Sequence, residues 1–125
     1  MSCAAFSLLD WDDAIMVRAS DLREPRPVAV ITGCGSYLIQ PRFFDESLWD
    51  YSVTSQVAFH IDDIWISGCL SRRGVKDTLC LHRAMTRSVL RQRWTVSLNK
   101  IPGRQKLNNE IIAFFRETWD VFAWH

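Results

Sequence analysis

The sequence predicts a small α/β protein. Three observations carry that prediction: a β-branched run at residues 28–32, an amphipathic helix opening at Asp62, and an apolar strand directly after that helix's glycine stop. At 125 residues and 48% hydrophobic, with six Trp and seven Phe, the chain can bury one ordinary core. Fifteen basic and fourteen acidic residues leave a net charge of +1, which gives no electrostatic footprint for nucleic acid or an anionic membrane.

Residues 1–27 form a poorly defined N-terminal segment. LLDWDDAIMVRASDL is compatible with a short amphipathic helix, although its acids and apolar residues fit helical spacing badly. REPRP then brings two prolines that no helix interior accepts. From residue 28 a single domain is expected to run to the C-terminus. VAVIT predicts a buried strand from Val28 to Thr32, and GCGSYLIQP reads as a glycine turn followed by a second strand that Pro41 ends. Residues 42–58 mix aromatics with acids and serines, as a loop or short helix beside a site would.

At Asp62 the signals converge. Asp62 is the expected N-cap, Ile66, Cys69 and Leu70 share a face that Trp65 joins, Arg72 and Arg73 suit the negative helix end, and Gly74 supplies a left-handed stop. Gly68 costs about 1 kcal/mol in a helix interior, which points to close approach of another backbone. Residues 75–82 predict the return strand. The arginine-rich HRAMTRSVLRQRW reads as a solvated face, and a last helix is expected from about Asn108, capped by that Asn, with Ile111, Ile112, Phe115 and Trp119 as its core stripe.

No apolar run approaches the roughly 20 residues of a bilayer span, and the N-terminus lacks the pattern of a signal peptide, so a cytoplasmic location is the default expectation. Cys3, Cys34, Cys69 and Cys80 form no CxxC pair, which favours free thiols over zinc or redox chemistry.

The adjacent acids in FHIDDIWISGCLSRRGV admit three readings. One is structural: Asp62 caps the helix for about 0.5–2 kcal/mol while the dipole favours Asp63 in the first turn. Another is metal ligation, for which two neighbouring carboxylates lack a third ligand close in sequence. The third is catalytic, a carboxylate at a helix N-terminus accepting a proton from a hydroxyl nucleophile.

Taken in order, GCGSYLIQPRFFD, HIDDIWISGCLSRRGV, a strand and LNNEIIAFFRETW resemble the acceptor-side, C-terminal half of glycosyltransferases of the GT-A nucleotide-diphospho-sugar type, family 2-like, from about Val28 onward. The resemblance implies a partial three-layer fold, a short mixed sheet flanked by helices. It implies transfer of a hexose from a nucleotide sugar to a hydroxyl acceptor, with Asp63 as general base and Asp62 orienting the acceptor. It further implies that Gly33 and Gly35 let the backbone approach the substrate, that Trp65 stacks on a sugar if it faces the cleft rather than the core, and that His82 is a candidate ligand for a Mn²⁺ or Mg²⁺ ion. His60 is expected to tune Asp62 or to face solvent.

Such enzymes place a nucleotide-binding half of roughly one hundred residues with an Asp-X-Asp motif before the glycine turn. Asp10 and Asp12 have that spacing but stand too close to Gly33 to serve. The chain alone is therefore expected to be an inactive half that needs a missing N-terminal portion or partner subunit. The alternative is a non-catalytic carbohydrate-binding or interaction module using exposed aromatics such as Trp49 and Tyr51, and a third possibility is a decayed fragment with no function.

Overall fold

Helix α1, Asp62–Arg72, is the organising element, and its ends explain its length. Two acids occupy its first turn and Arg72 its last, each complementing the dipole. Gly74 adopts φ +72° just beyond the end. Its N–H donates to Ser71 O at 2.9 Å and that of Val75 to Leu70 O at 3.0 Å, the paired closure that a left-handed residue permits. The expected glycine stop is present. The N-cap is not Asp62 but Ile61, which makes no side-chain cap bond. Ile61 is 1% exposed, so the cap position is given to the core, and the acids act from inside the first turn.

The computed structural model describes residues 3–5, 11, 16–18, 21–31, 38–54, 60–76, 78–79 and 102–117. They make a small mixed α/β protein. Strands β1 (Cys3–Ala5), β2 (Met16–Arg18) and β4 (Val30–Ile31) pair antiparallel in the order β2-β1-β4, with Ala4 opposite both Val17 and Ile31. Strand β3 (Arg26–Pro27) pairs antiparallel with β5 (Thr78–Leu79). All described pairings are antiparallel, whereas a mixed sheet was expected. Residues 16–18, read as part of a short helix, are a strand, in keeping with the poor helical spacing of that stretch. Among the described residues of the run from Val28, Val30–Ile31 join a ladder, while Val28 and Ala29 are buried outside it.

Helix α2 spans Arg104–Phe115, starting a turn earlier than expected because Pro102 and the left-handed Gly103 (φ +79°) turn the chain there. Asn108 is thus inside the helix rather than its cap. It is buried, and its Oδ1 lacks a hydrogen-bond partner. Arg104 Nη1 donates to His60 O at 3.4 Å, and the Arg72 guanidinium lies 4.8 Å from the centroid of Phe115. Starts and ends therefore match, and the two helices run side by side in the same sense.

Between them sits the core: Ala29, Val30, Ile61, Ile64, Trp65, Cys69, Ile111, Ile112 and Phe115, with Trp11, Phe44, Leu48 and Tyr51 packed against it. Each large side chain buried here contributes roughly 1.5–3 kcal/mol. Gly68 does mark a close approach, though to a ring rather than a backbone: a Cβ there would lie 2.3 Å from Phe115 Cδ2. Ser67 is buried on the same helix because its Oγ accepts the Ile31 N–H at 3.1 Å, tying α1 to β4. The segment before residue 28 shares this core, for the Trp11 N–H donates to Asn109 Oδ1 at 2.8 Å.

Candidate functional site

The exposed end of α1 carries the acid pair. Asp62 is exposed and Asp63 partly so, while Ile61 before them and Ile64 and Trp65 after them are buried. This abrupt change fixes two carboxylates at the rim of a packed core. Asp62 Oδ1 accepts the Asp63 N–H at 3.0 Å, which satisfies one of the free amides of the first turn.

A frame of three 3-10 turns, at 41–43, 46–49 and 51–53, lies along α1, tied to it at Trp65 and at Arg73. Its last two turns repeat one device. Asp45 accepts from the Ser47 N–H at 3.0 Å and from the Ser47 hydroxyl, and Asp50 accepts from the Ser52 N–H at 3.2 Å and from the Ser52 hydroxyl. Local side-chain bonds of this kind make Asp-X-Ser a turn signal. Arg73 at the end of α1 reaches back to Asp45 Oδ2 at 3.3 Å. The Ser47 hydroxyl and N–H, and then Arg73, hold the Asp45 carboxyl below its ordinary value.

Trp65 joins the frame to the helix. Its Nε1–H donates to Leu48 O at 2.8 Å, and its ring meets Tyr51 at 5.1 Å, Phe115 at 5.2 Å and Phe114 at 5.9 Å between centroids. At 1% exposure it is a core residue and presents no face to a sugar. Tyr51, half-buried, is similarly committed. Partial burial first, then Cys69, then the Asp62 carboxylate raise its phenol above the ordinary value.

Of the residues singled out by sequence, Asp62, Asp63 and Trp65 therefore share the first turn of one helix, Asp62 exposed, Asp63 partly so and Trp65 buried. His60 is exposed, with its carbonyl held by Arg104. Gly33, Gly35, His82, Asp10 and Asp12 lie outside the described residues. Sequence reasoning missed Tyr51 as a packing partner of Trp65 and Arg104 as the donor to His60 O. It also missed the capped turns, for which the repeated Asp-X-Ser at 45–47 and 50–52 was the available signal.

A divalent cation needs convergent donors, and among the described residues no three or more His, Cys, Asp or Glu lie together. The acid pair offers a carboxylate base and hydrogen-bond acceptors. No helix among the described residues is long and apolar enough to cross a membrane. Cys69 is a free, buried thiol pushed up to about 11 by desolvation, hence unreactive. Comparison with protein-family models, with curated proteins and with solved structures finds no match to this chain in any of the three.

Proposed function

We propose that this chain is the acceptor-side portion of a glycosyltransferase of the GT-A nucleotide-diphospho-sugar type. One observation supports the reading most: an exposed Asp62 and a partly exposed Asp63 in the first turn of a helix whose next residues, Ile64 and Trp65, are core. In the proposed reaction the acceptor hydroxyl oxygen attacks the anomeric carbon of the donor sugar. The bond from that carbon to the diphosphate breaks, the nucleoside diphosphate leaves with the electron pair, and Asp63 takes the hydroxyl proton. Asp62, with Oδ2 uncommitted among the described hydrogen bonds, orients the acceptor. A base of this kind contributes about 10²- to 10⁴-fold, and positioning the reactants supplies more.

The test measures release of nucleoside diphosphate from a panel of nucleotide sugars with Mn²⁺ and neutral saccharide acceptors, with calorimetric titration of both ligands in parallel. The chain by itself is expected to bind the saccharide. Where the donor is also bound, Asp63→Asn lowers kcat by about 10²-fold or more while saccharide affinity and helix content hold. A folded chain that binds neither ligand, or an Asp63→Asn variant that transfers at the parental rate, removes the reading. The second reading, a carbohydrate-binding module without catalysis, is favoured by the 74% exposure of Trp49. It predicts saccharide binding with no transfer under any donor.

A further inference from the structure

We infer that Trp49 is a stacking platform for a pyranose ring of a neutral carbohydrate. The assignment of a sugar rests on the acceptor-side reading above; the assignment of the platform rests on geometry. Trp49 is 74% exposed, although an indole is among the most favourable groups to bury. Nor is it the tip of a loose loop. The residue before it is pinned by the bond from Trp65 Nε1 to Leu48 O, and Tyr51, two residues after it, packs on the same Trp65 ring at 5.1 Å. The capped turns at Asp45 and Asp50 close the segment on both sides. Trp49 is therefore held out in solvent from a stretch anchored on α1 through Trp65 and Arg73.

The chemistry around the indole selects the occupant. Asp45, Glu46 and Asp50 are exposed within four residues of it in sequence. Asp50 uses Oδ1 on Ser52, and its Oδ2 enters none of the described hydrogen bonds. With Asp45 paired to Arg73, Glu46 and Asp50 still leave this surround net negative, which opposes nucleotides, phosphates and anionic lipid surfaces. A neutral pyranose has what the site lacks: an apolar C–H face to cover the ring and hydroxyl donors for carboxylate acceptors. A hydrophobic protein partner would gain from the ring but would leave the carboxylates without donors, at a desolvation cost.

The experiment is a titration of ¹⁵N-labelled full chain with cello-, xylo-, malto- and chito-oligosaccharides, following the Trp indole N–H resonances, with Trp49 assigned by its absence in Trp49→Ala. Expected are a saturable shift of the Trp49 resonance by at least one series, affinity weakened about tenfold in Trp49→Ala, roughly 1.4 kcal/mol, and recovery of most of it in Trp49→Phe. Two results overturn the inference: a folded chain whose Trp49 resonance no saccharide shifts, or Trp49→Ala binding as tightly as the parent. Saccharide-independent self-association that Trp49→Ala abolishes would also overturn it, by making this face a protein interface. Asp63→Asn keeps the two readings apart. Loss of transfer with the Trp49 shift intact upholds both, and a Trp49 shift without transfer from any donor upholds the platform alone.

Discussion

Replacing Gly68 with alanine probes the packing that fixes the acid-bearing helix. The added Cβ would stand 2.3, 2.5 and 2.6 Å from Phe115 Cδ2, Cε2 and Cγ, where comfortable carbon contacts are about 3.5–4.0 Å. The ring would have to retreat, and it has nowhere to go. Phe115 is 0% exposed, crossed edge-on by Trp65 at 5.2 Å and by Phe114 at 4.8 Å, and covered by the Arg72 guanidinium at 4.8 Å. Overpacking of this kind costs about 1–3 kcal/mol, and the boxed-in ring places Gly68→Ala near the upper end. Helix propensity returns about 1 kcal/mol. The net expectation is about 2 kcal/mol of destabilisation, a fall in Tm of about 10 °C, with the urea midpoint lowered at unchanged slope. Adding Phe115→Leu should recover part of the loss, so the double-mutant cycle shows coupling. A Gly68→Ala protein more stable than the parent by about 1 kcal/mol would refute the argument, because propensity would then be the whole effect.

Two further expectations concern the same core. Trp65→Phe removes the donor to Leu48 O and trims a ring from the aromatic cluster, so chemical denaturation should show a loss of about 2–3 kcal/mol, and Trp65→Leu a larger one. Cys69, whose thiol burial pushes up to about 11 from an ordinary 9.0, should resist alkylation at pH 8 in the folded chain and label fast in urea, read by peptide mass mapping. Because the shift is upward, its contribution to stability is full below pH 9 and lost as pH rises toward 11. Equal labelling rates in both states would contradict the burial.

How much of the fold was legible depended on whether its signals were local. Helix α1 was legible because acids in the first turn, Arg72 in the last and Gly74 beyond it act within a few residues of one another. The cap was misassigned because Ile61 answers to the core and not to the helix end, a demand only tertiary structure exposes. Asn108 shows the same conflict. An Asn ahead of IIAFF is a reasonable cap, but the Pro102–Gly103 turn starts the helix earlier and draws that amide inside. The pairing of β1 with both β2 and β4 was illegible for a different reason: a three-residue strand carries no mark of its partner.

The two tryptophans near the acids make the same point about the site. Trp65 follows Ile61 and precedes Cys69 at steps of four, so three bulky or apolar residues share one helical face, and all three are buried. Adjacency to an acid pair says nothing about that face. Trp49 has no such periodic neighbours; its exposure is decided by two hydrogen-bonded aspartate turns and by the anchoring of Leu48 and Tyr51 on Trp65. The buried tryptophan thereby does for the exposed one what a scaffold does for a site: it fixes a rigid backbone from which a costly side chain can be held in water. That division of labour needs both residues, so the loss of Trp65 should loosen the Trp49 segment as well as the core.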